Sequence, residues 1–394
     1  MRILQVNQFC GHLGGTEVYV RSISNELIER GHHVALLCEE SGNSGENRQY
    51  AVHRIPGISL WSFQRKDEVI AEVARVVEGE NPDLINIHNL HNSWVTEQLL
   101  RMRPTVRYLH DHRLFCPRGK YYLSGSICGR PFGIRCLLNS YVPLMCYGYF
   151  TRKPWRVWRD YRSFHRTLRA NIRLDKLMVA SRYMKECLVQ NGFNEKMVDV
   201  LPYFTDPPVE TGSVGDSILY VGRLLPEKGL HILLDSLSLL PGHVKLVVVG
   251  NGSQQYESLL DRRVSRLGLA SRVHFAGQVR HGELKTFYEA CRLVAVPSLW
   301  PEPFGIVGIE ALSHGRPVVA FDSGGISDWL VDGEVGFLVP RGDVKALAAR
   351  IQQLLESPET VESMGKRGRS IVAERFGRGV HVEKLLKLYE KTCE

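Results

Sequence analysis

Two doubly wound, Rossmann-like α/β domains facing a cleft are predicted for this chain of 394 residues. Three observations predict them. Short apolar runs alternate with amphipathic helical stretches along the whole sequence. The alternation pauses at a Pro- and Gly-containing stretch and then restarts. Glycine-bearing turns follow several of the apolar runs, as at the carboxyl ends of strands in open parallel sheets. The chain is long enough for each domain to bury its own core, and 44% apolar with 23% charged residues reads as soluble and globular.

Strands are expected at 3–6, 34–38, 84–88, 106–110 and 177–180, with helices between them. A linker follows near 203–216, around Asp206, Pro207 and Pro208. The second domain restarts at 218–221 and continues with strands at 245–249, 273–275, 293–296, 317–321 and 336–339. The division is therefore 1–203, with a Cys-bearing and basic insert at about 112–173, then 204–376, then a terminal segment 377–394. In that last segment Val382, Leu385, Leu386 and Leu388 have helix-compatible spacing. Such a helix either crosses back to the first domain or completes its own.

The stretch with the most chemistry is Trp300-Pro301-Glu302-Pro303-Phe304-Gly305-Ile306-Val307-Gly308-Ile309-Glu310. It follows an apolar strand and opens a helix, so the backbone amides of Gly305, Ile306 and Val307 point at whatever sits beyond the strand's carboxyl end, which favours a phosphate. Were the segment wholly helical, Glu302 and Glu310 would lie roughly 12 Å apart along the axis, too far for two carboxylates flanking one glycosidic bond. They are better read as gripping different parts of one ligand. Glu310 suits the vicinal hydroxyls of a ribose, and Glu302 the group beyond the phosphates.

Earlier in this half, Val221-Gly222-Arg223-Leu224-Leu225-Pro226-Glu227-Lys228-Gly229 joins a strand to a helix and brings two cations to the strand's end. Arg223 offers a planar fork and Lys228 a compact ammonium, which together offset the charge of a leaving diphosphate without a metal. Gly250, in Val249-Gly250-Asn251-Gly252, and Val279, after Gly277-Gln278, are placed against a nucleotide base. In the first half, Gly14-Gly15-Thr16-Glu17 opens a helix after the first strand. It has neither the Gly-x-Gly-x-x-Gly spacing of a dinucleotide fingerprint nor the Gly-Lys-Ser/Thr ending of a P-loop, and reads as a turn that lets the domain edge approach a sugar or phosphate.

The net charge of +8 is uneven. Residues 101–173 hold sixteen Lys and Arg against Asp111 and Asp160, a local +14 that leaves −6 for the rest. Within it Arg152, Arg156, Arg159, Arg162, Arg166, Arg169 and Arg173 recur at helical spacing, with Trp155, Trp158, Phe164 and Leu168 adding apolar surface and the apolar stretch 141–150 preceding them. This reads as a peripheral element for an anionic membrane face rather than a nucleic-acid motif. The start of the chain leads straight into a strand and no apolar run spans a bilayer, so a cytoplasmic protein, at most peripheral at the inner membrane face, is expected. Its nine cysteines are then expected to be mostly reduced thiols, with disulfides an unlikely framework. Cys116, Cys128, Cys136 and Cys146 fall within 31 residues and are candidate ligands for zinc or an iron–sulfur centre. The other reading is reduced thiols that shape a loop, since no tight Cys-x2-Cys pair is present. His88, His91, His110 and His112, near strand ends, are read as hydrogen-bonded or substrate-contacting rather than metal-bound.

These motifs together resemble the retaining glycosyltransferases of family 4, with the GT-B fold. The likeness rests on Gly14-Gly15-Thr16-Glu17, Arg30-Gly31-His32-His33-Val34, His110-Asp111-His112, Val221-Gly222-Arg223, Pro226-Glu227-Lys228-Gly229, Glu302-Pro303-Phe304-Gly305 with Glu310, and Ser323-Gly324-Gly325. The resemblance implies transfer of a sugar, of hexosyl type, from a nucleotide diphosphate sugar with retention of configuration and with no required cofactor or metal. It assigns the diphosphate to Arg223 and Lys228, the ribose to Glu310, and the donor sugar to Glu302 and the Phe304–Ile306 backbone. Gly15 would pack near the phosphates and His110 would reach the transferred sugar. Gly14, His88 and Asp111 fall on the acceptor side. Asp328 departs from the glutamate usual after Ser323-Gly324-Gly325. The acceptor expected is a glycan or lipid-linked sugar, in polysaccharide or glycolipid assembly. The alternatives are a non-catalytic nucleotide-sugar-binding adaptor and a nucleotide-sugar epimerase of the same architecture.

Overall fold

The computed structural model describes residues 1–11, 14–39, 49–59, 65–123, 126–139, 154–206 and 215–394. It divides into two compact units. One comprises 1–124, 128–201 and 382–394, the other 125–127 and 202–381. The terminal helix Arg378–Cys393 thus gives its first residues to the second unit and the remainder to the first.

The first unit is built on a parallel sheet of seven strands. In chain order these are β1 (Arg2–Phe9), β2 (His33–Glu39), β3 (Ala51–Arg54), β4 (Leu84–Ile87), β5 (Thr105–Leu109), β6 (Lys176–Val179) and β7 (Val198–Val200), and across the sheet they run β3-β2-β1-β4-β5-β6-β7. The central strands are apolar on both faces, as a sheet covered by helices on each side requires. Ile3, Leu4, Val6, Leu84, Ile85 and Val106 are all buried. The edge strands β3 and β7 escape sequence pattern because they are short and half-buried, Ala51-Val52-His53-Arg54 and Val198-Asp199-Val200.

The second unit repeats the plan with six parallel strands: β8 (Ser217–Val221), β9 (Leu246–Val249), β10 (Val273–Gly277), β11 (Cys291–Val296), β12 (Val318–Phe321) and β13 (Gly336–Val339), in the order β10-β9-β8-β11-β12-β13. Its core draws on the helix Leu230–Ser238, where Leu230, Leu233, Leu234 and Leu237 present one fully buried stripe to the sheet. Each such leucine contributes about 2 kcal/mol.

Both sheets have a point where the winding reverses. In the first, the chain moves outward from β1 to β2 and β3, then returns to β4 on the other side of β1. In the second it moves outward from β8 and returns at β11. The loops leaving the two strands of such a pair diverge and leave a crevice at their carboxyl ends, which is where open α/β sheets take ligands. The connections after β1 and β4, and after β8 and β11, are therefore the ones that matter for function.

Among the described residues Cys10 and Cys38 are disulfide-bonded, while Cys116, Cys128, Cys136, Cys187, Cys291 and Cys393 are free. The cause is topological: β1 and β2 are parallel neighbours, and the two residues at their carboxyl ends come within 5.8 Å between Cα atoms.

Candidate functional site

In the second unit the two connections at the reversal point are locked together. The turn after β8 ends at Gly229, and the loop after β11 contributes Ser298, Trp300 and Glu302. Glu227 O accepts from the amides of Leu299 (2.8 Å) and Trp300 (3.2 Å), which lays one loop against the other. Lys228 Nζ then sits 2.6 Å from Glu302 Oε1 and 5.0 Å from the centroid of the Trp300 ring. Ser298 Oγ donates to the same carboxylate oxygen. Glu302 is only 5% exposed. Burial alone would push its carboxyl upward, but the adjacent Lys228 ammonium and the hydroxyl of Ser298 outweigh that and hold it below the ordinary carboxylate range. The result is a buried ionised carboxylate whose partner cation is still partly accessible.

The backbone of Glu302 is held as firmly as its side chain. Gly325 N donates to Glu302 O at 2.7 Å, and Glu302 N donates to Ser323 O at 3.3 Å, a short bridge between the loops after β11 and β12. Gly324 makes this possible. A Cβ there would lie 2.4 Å from Glu302 O, and its φ of +66° is a left-handed value that disfavours side chains.

The helix Ile306–Ser313 starts at Gly305, whose φ of +89° turns the chain sharply into the helix. Its first amides are the ones that the sequence reading assigns to an anion. Ile306 is exposed and Val307 half-buried at that mouth, whereas Phe304 is buried and fixed through its carbonyl, which accepts from Trp329 Nε1 at 2.6 Å. One and a half turns into the helix, Glu310 accepts from Tyr288 Oη at 2.8 Å and is largely buried. Glu302 therefore stands before the helix mouth and Glu310 within the helix, on the side reached by Tyr288.

Arg223 is exposed and makes no ion pair with a described residue. Its turn is pinned by its own carbonyl, which accepts from Tyr220 Oη at 3.2 Å. Gly250 N donates to Gly277 O at 2.8 Å, and Asn251 Nδ2 to Gln278 Oε1 at 2.9 Å, so the two turns assigned to a base are neighbours and Val279, half-buried, follows them. Asp328 ends the short helix Gly325–Asp328, and its carbonyl accepts from Arg375 at 3.1 Å.

In the first unit the reversal point lies between β1 and β4, and it is polar. Gly14 is the extended cap of the helix Gly15–Glu29. Asn7 Oδ1 accepts from Asn89 N at 3.1 Å, Asn7 Nδ2 reaches Glu17 Oε1 at 3.3 Å, and Asn89 Nδ2 donates to Thr16 Oγ1 at 3.0 Å. The glycine turn is thus tied to the ends of β1 and β4. Beside it, His110 at the end of β5 lies with its Nε2 3.0 Å from His88 Nδ1. Burial holds both imidazoles far below the ordinary histidine value, that of His88 near 3. His88, read as lying on the acceptor side, is 1% exposed and packs against His110 with ring centroids 5.2 Å apart. Asp111 caps the turn His112–Leu114 through Arg113 N (2.8 Å) and pairs with the Arg113 guanidinium (3.1 Å). Burial raises its carboxyl despite Arg113.

Sequence pattern misses Ser298, Tyr288, Trp329, Asn7, Asn89 and Gln5, all of which act by supporting a residue that it finds. Asn7, Asn89 and Ser298 could have been marked by their places near strand ends, whereas Gln5 within β1, Tyr288 in the helix Leu284–Ala290 and Trp329 carry no such signal.

Among the described residues no group of three His, Cys, Asp or Glu is arranged to hold a metal ion. Cys116 and Cys136 are thiols raised by burial. Cys146, Arg152 and the stretch 141–150 lie outside the described residues. The basic helix is Pro154–Ile172, with Arg156, Arg159, Arg162, Arg166 and Arg169 exposed, followed by exposed Arg173. Trp155 and Trp158 are exposed too, at 63% and 49%. Phe164 and Leu168 are not part of that surface: both are buried, because they occupy the face turned to the unit's own core.

Comparison with known proteins agrees with this geometry. Residues 13–207 match the family model described as Glycosyltransferase Family 4, and residues 214–371 that of glycosyl transferases group 1. An uncharacterized glycosyltransferase of Methanocaldococcus jannaschii is 22% identical over all of this chain and 99% of its own length. The phosphatidyl-myo-inositol mannosyltransferase of Mycobacterium leprae is 31% identical over 58% of this chain and 61% of its own length. Among solved structures, Anabaena HepE in complex with UDP-glucose has a TM-score of 0.75 at 23% identity, with 99% of each chain covered. The sucrose-phosphate synthase of Thermosynechococcus elongatus has the same TM-score at 22% identity, again over 99% of each chain. With two Rossmann-like parallel-sheet units, and with family models matching both of them, the chain belongs to glycosyltransferase family 4 and has the GT-B fold.

Proposed function

We propose that this glycosyltransferase moves a hexosyl unit from a nucleotide diphosphate sugar to a glycan or lipid-linked acceptor, with retention of configuration, in polysaccharide or glycolipid assembly. The observation that carries the reading is the buried Lys228–Glu302 pair at the mouth of the Gly305 helix. Such a pair keeps a carboxylate ionised for sugar hydroxyls beside an ammonium and a row of amides suited to a diphosphate.

In this reading Arg223 and Lys228 neutralise the diphosphate as it departs, aided by the amides of Gly305, Ile306 and Val307. Glu310, oriented by Tyr288, takes the ribose hydroxyls, and the turns at Gly250 and Val279 flank the base. Glu302 orients the sugar. Gly15 approaches the phosphates, and His110 the transferred sugar, with Gly14 and Asp111 toward the acceptor. The acceptor oxygen attacks the anomeric carbon on the face the diphosphate leaves, and the leaving phosphate oxygen takes its proton. No protein nucleophile and no resident metal or cofactor is invoked. UDP-glucose is bound by the Anabaena relative and is the first donor to test.

The exposed arginines and tryptophans of the helix Pro154–Ile172 support a peripheral site on an anionic membrane face, where a lipid-linked acceptor resides. No helix among the described residues is long and apolar enough to cross a membrane.

A panel of UDP-, GDP- and ADP-sugars, read by thermal stabilisation and slow hydrolysis, tests the donor assignment, since selective binding to the native state raises its melting temperature. The anomeric configuration of the transferred sugar, read by NMR, tests retention. An inverted product, or no stabilisation by any nucleotide sugar, defeats the reading. Failure to sediment with anionic vesicles at low salt defeats the membrane assignment alone.

A further inference from the structure

At the carboxyl end of the first sheet lies a cavity of about 240 Å³ that the reaction as described does not use. Its walls come from the connections after β2 and β3 and from the first turns of the helices Lys66–Glu80 and Ser93–Met102, all in the first unit. Pro56, Val69, Ile70 and Val95 make the lining mainly apolar, and the indole of Trp94 forms part of it. The frame is held by hydrogen bonds. Asn92 Oδ1 accepts from Trp94 N at 3.1 Å while its Nδ2 donates to Ile58 O at 3.0 Å, and Glu39 Oε1 accepts from Gly57 N at 3.2 Å.

The charge on this lining is unbalanced. Lys66 is half-buried, with its Nζ 5.2 Å from the centroid of the Trp94 ring, and among the described residues no carboxylate pairs with it. Arg65 pairs with Glu68 at 2.9 Å, but both side chains are more than half exposed, and such a contact yields to a better-placed anion. Two cations thus face the single carboxylate of the lining, Glu39. An ammonium drawn out of water against an apolar wall calls for a counter-charge, which a ligand can supply. The same Trp94 ring lies 5.7 Å from the guanidinium of Arg166, on the basic helix Pro154–Ile172. The cavity is smaller than the roughly 300–1,000 Å³ pockets that enclose a whole drug-sized ligand, so it takes one end of a larger molecule. A sugar ring needs several hydrogen-bonding partners, whereas Asn92 and Glu39 are already engaged. A phosphate on an apolar stem matches both the cations and the walls.

We propose that this cavity binds the phosphate and first carbons of a lipid-linked acceptor, with Lys66 and Arg65 on the phosphate and Val69, Ile70 and Val95 on the stem. The ligand's role as acceptor rests on the functional reading above; the lipid-phosphate site does not.

Calorimetric titration of the full chain with geranyl phosphate, at saturating UDP to fill the diphosphate site, tests it. One equivalent is expected to bind, with geraniol and inorganic phosphate each at least about tenfold weaker, since each lacks one half of the recognition. Lys66→Ala is expected to weaken geranyl phosphate by about ten- to a hundredfold, the worth of a hydrogen bond to a charged group, and Lys66→Arg to keep most of the affinity. Ile70→Trp fills the cavity without changing its charge and is expected to abolish binding. No binding of geranyl phosphate by protein that binds UDP overturns the proposal, as does unchanged affinity in Lys66→Ala. Geraniol binding as tightly as geranyl phosphate overturns the anion site, and inorganic phosphate doing so overturns the apolar one. Geranyl phosphate binding that obeys the variants without any binding of UDP supports this site and overturns the donor reading instead.

Discussion

Lys228 and Glu302 lie 74 residues apart in sequence and 2.6 Å apart in space, and they are unequal partners: the glutamate side chain is 7% exposed, the lysine 20%. Removing either breaks the same contact, but the group left behind differs. An orphaned Glu302 keeps a buried charge, whereas an orphaned Lys228 can still reach water. Lys228→Ala is therefore expected to destabilise the protein by about 3 kcal/mol, in the range for an unpaired buried charge, and Glu302→Gln by clearly less. Both lose transfer. Denaturant unfolding of the two variants checks the order, and equal losses would show that Glu302 finds another partner.

Gly324→Ala is expected to act on the donor site without touching a ligand. The added Cβ falls 2.4 Å from Glu302 O at a φ of +66°. A destabilisation of about 1–3 kcal/mol follows from the backbone conformation alone. Displacement of Glu302 should also weaken donor binding, which calorimetric titration with UDP-glucose measures.

Tyr288→Phe removes the hydroxyl that donates to Glu310 at 2.8 Å and leaves the ring stacked on His314. The expected effect is on nucleotide affinity, roughly five- to tenfold weaker for one lost hydrogen bond, with turnover at saturating donor nearly unchanged. A fall in turnover at unchanged affinity would place Glu310 in the chemical step instead.

Acid should unfold this protein through its histidines as well as its carboxylates. His88 is held neutral down to about pH 3 when folded, by burial first and the nearby Arg107 second, whereas the unfolded chain takes up that proton near 6.5. Between those values the unfolded state binds the extra proton, so the stability that His88 contributes is present at neutral pH and lost as pH falls. The slope is about 1.4 kcal/mol per pH unit for each such group. The lowered carboxyl of Glu302 has the same sign at lower pH: its contribution is lost below the ordinary carboxylate value, 4.5. Urea unfolding at pH 7, 6 and 5 should show this fall, and His88→Gln should flatten it.

The parallel sheets are readable from sequence because their central strands are buried on both faces and announce themselves as apolar runs. Ala51–Arg54 and Val198–Val200 are invisible for the opposite reason: as edge strands they are short, only partly buried and interrupted by a charged residue. Glu302 and Lys228 stand out as charged residues beside glycine and proline at strand ends, and Glu310 as a charge in the otherwise apolar helix that follows. Their supports do not. Tyr288 and Trp329 look like ordinary core aromatics, and only the fold shows that a hydroxyl or indole proton is aimed at a site residue. The disulfide escapes for another reason, since whether two cysteines pair depends on which strands become neighbours.

On the proposed assignment of Glu302 to the donor sugar, the bridge that joins it to the glycine turn after β12 constrains how the donor can be changed. Two loops sharing backbone hydrogen bonds resist being lengthened or shifted one at a time, since an insertion in either breaks the pairing of both. New sugar preferences must come through side-chain exchange on a fixed frame, at positions such as Ser298 or Trp300 that touch the carboxylate or its cation without belonging to the bridge.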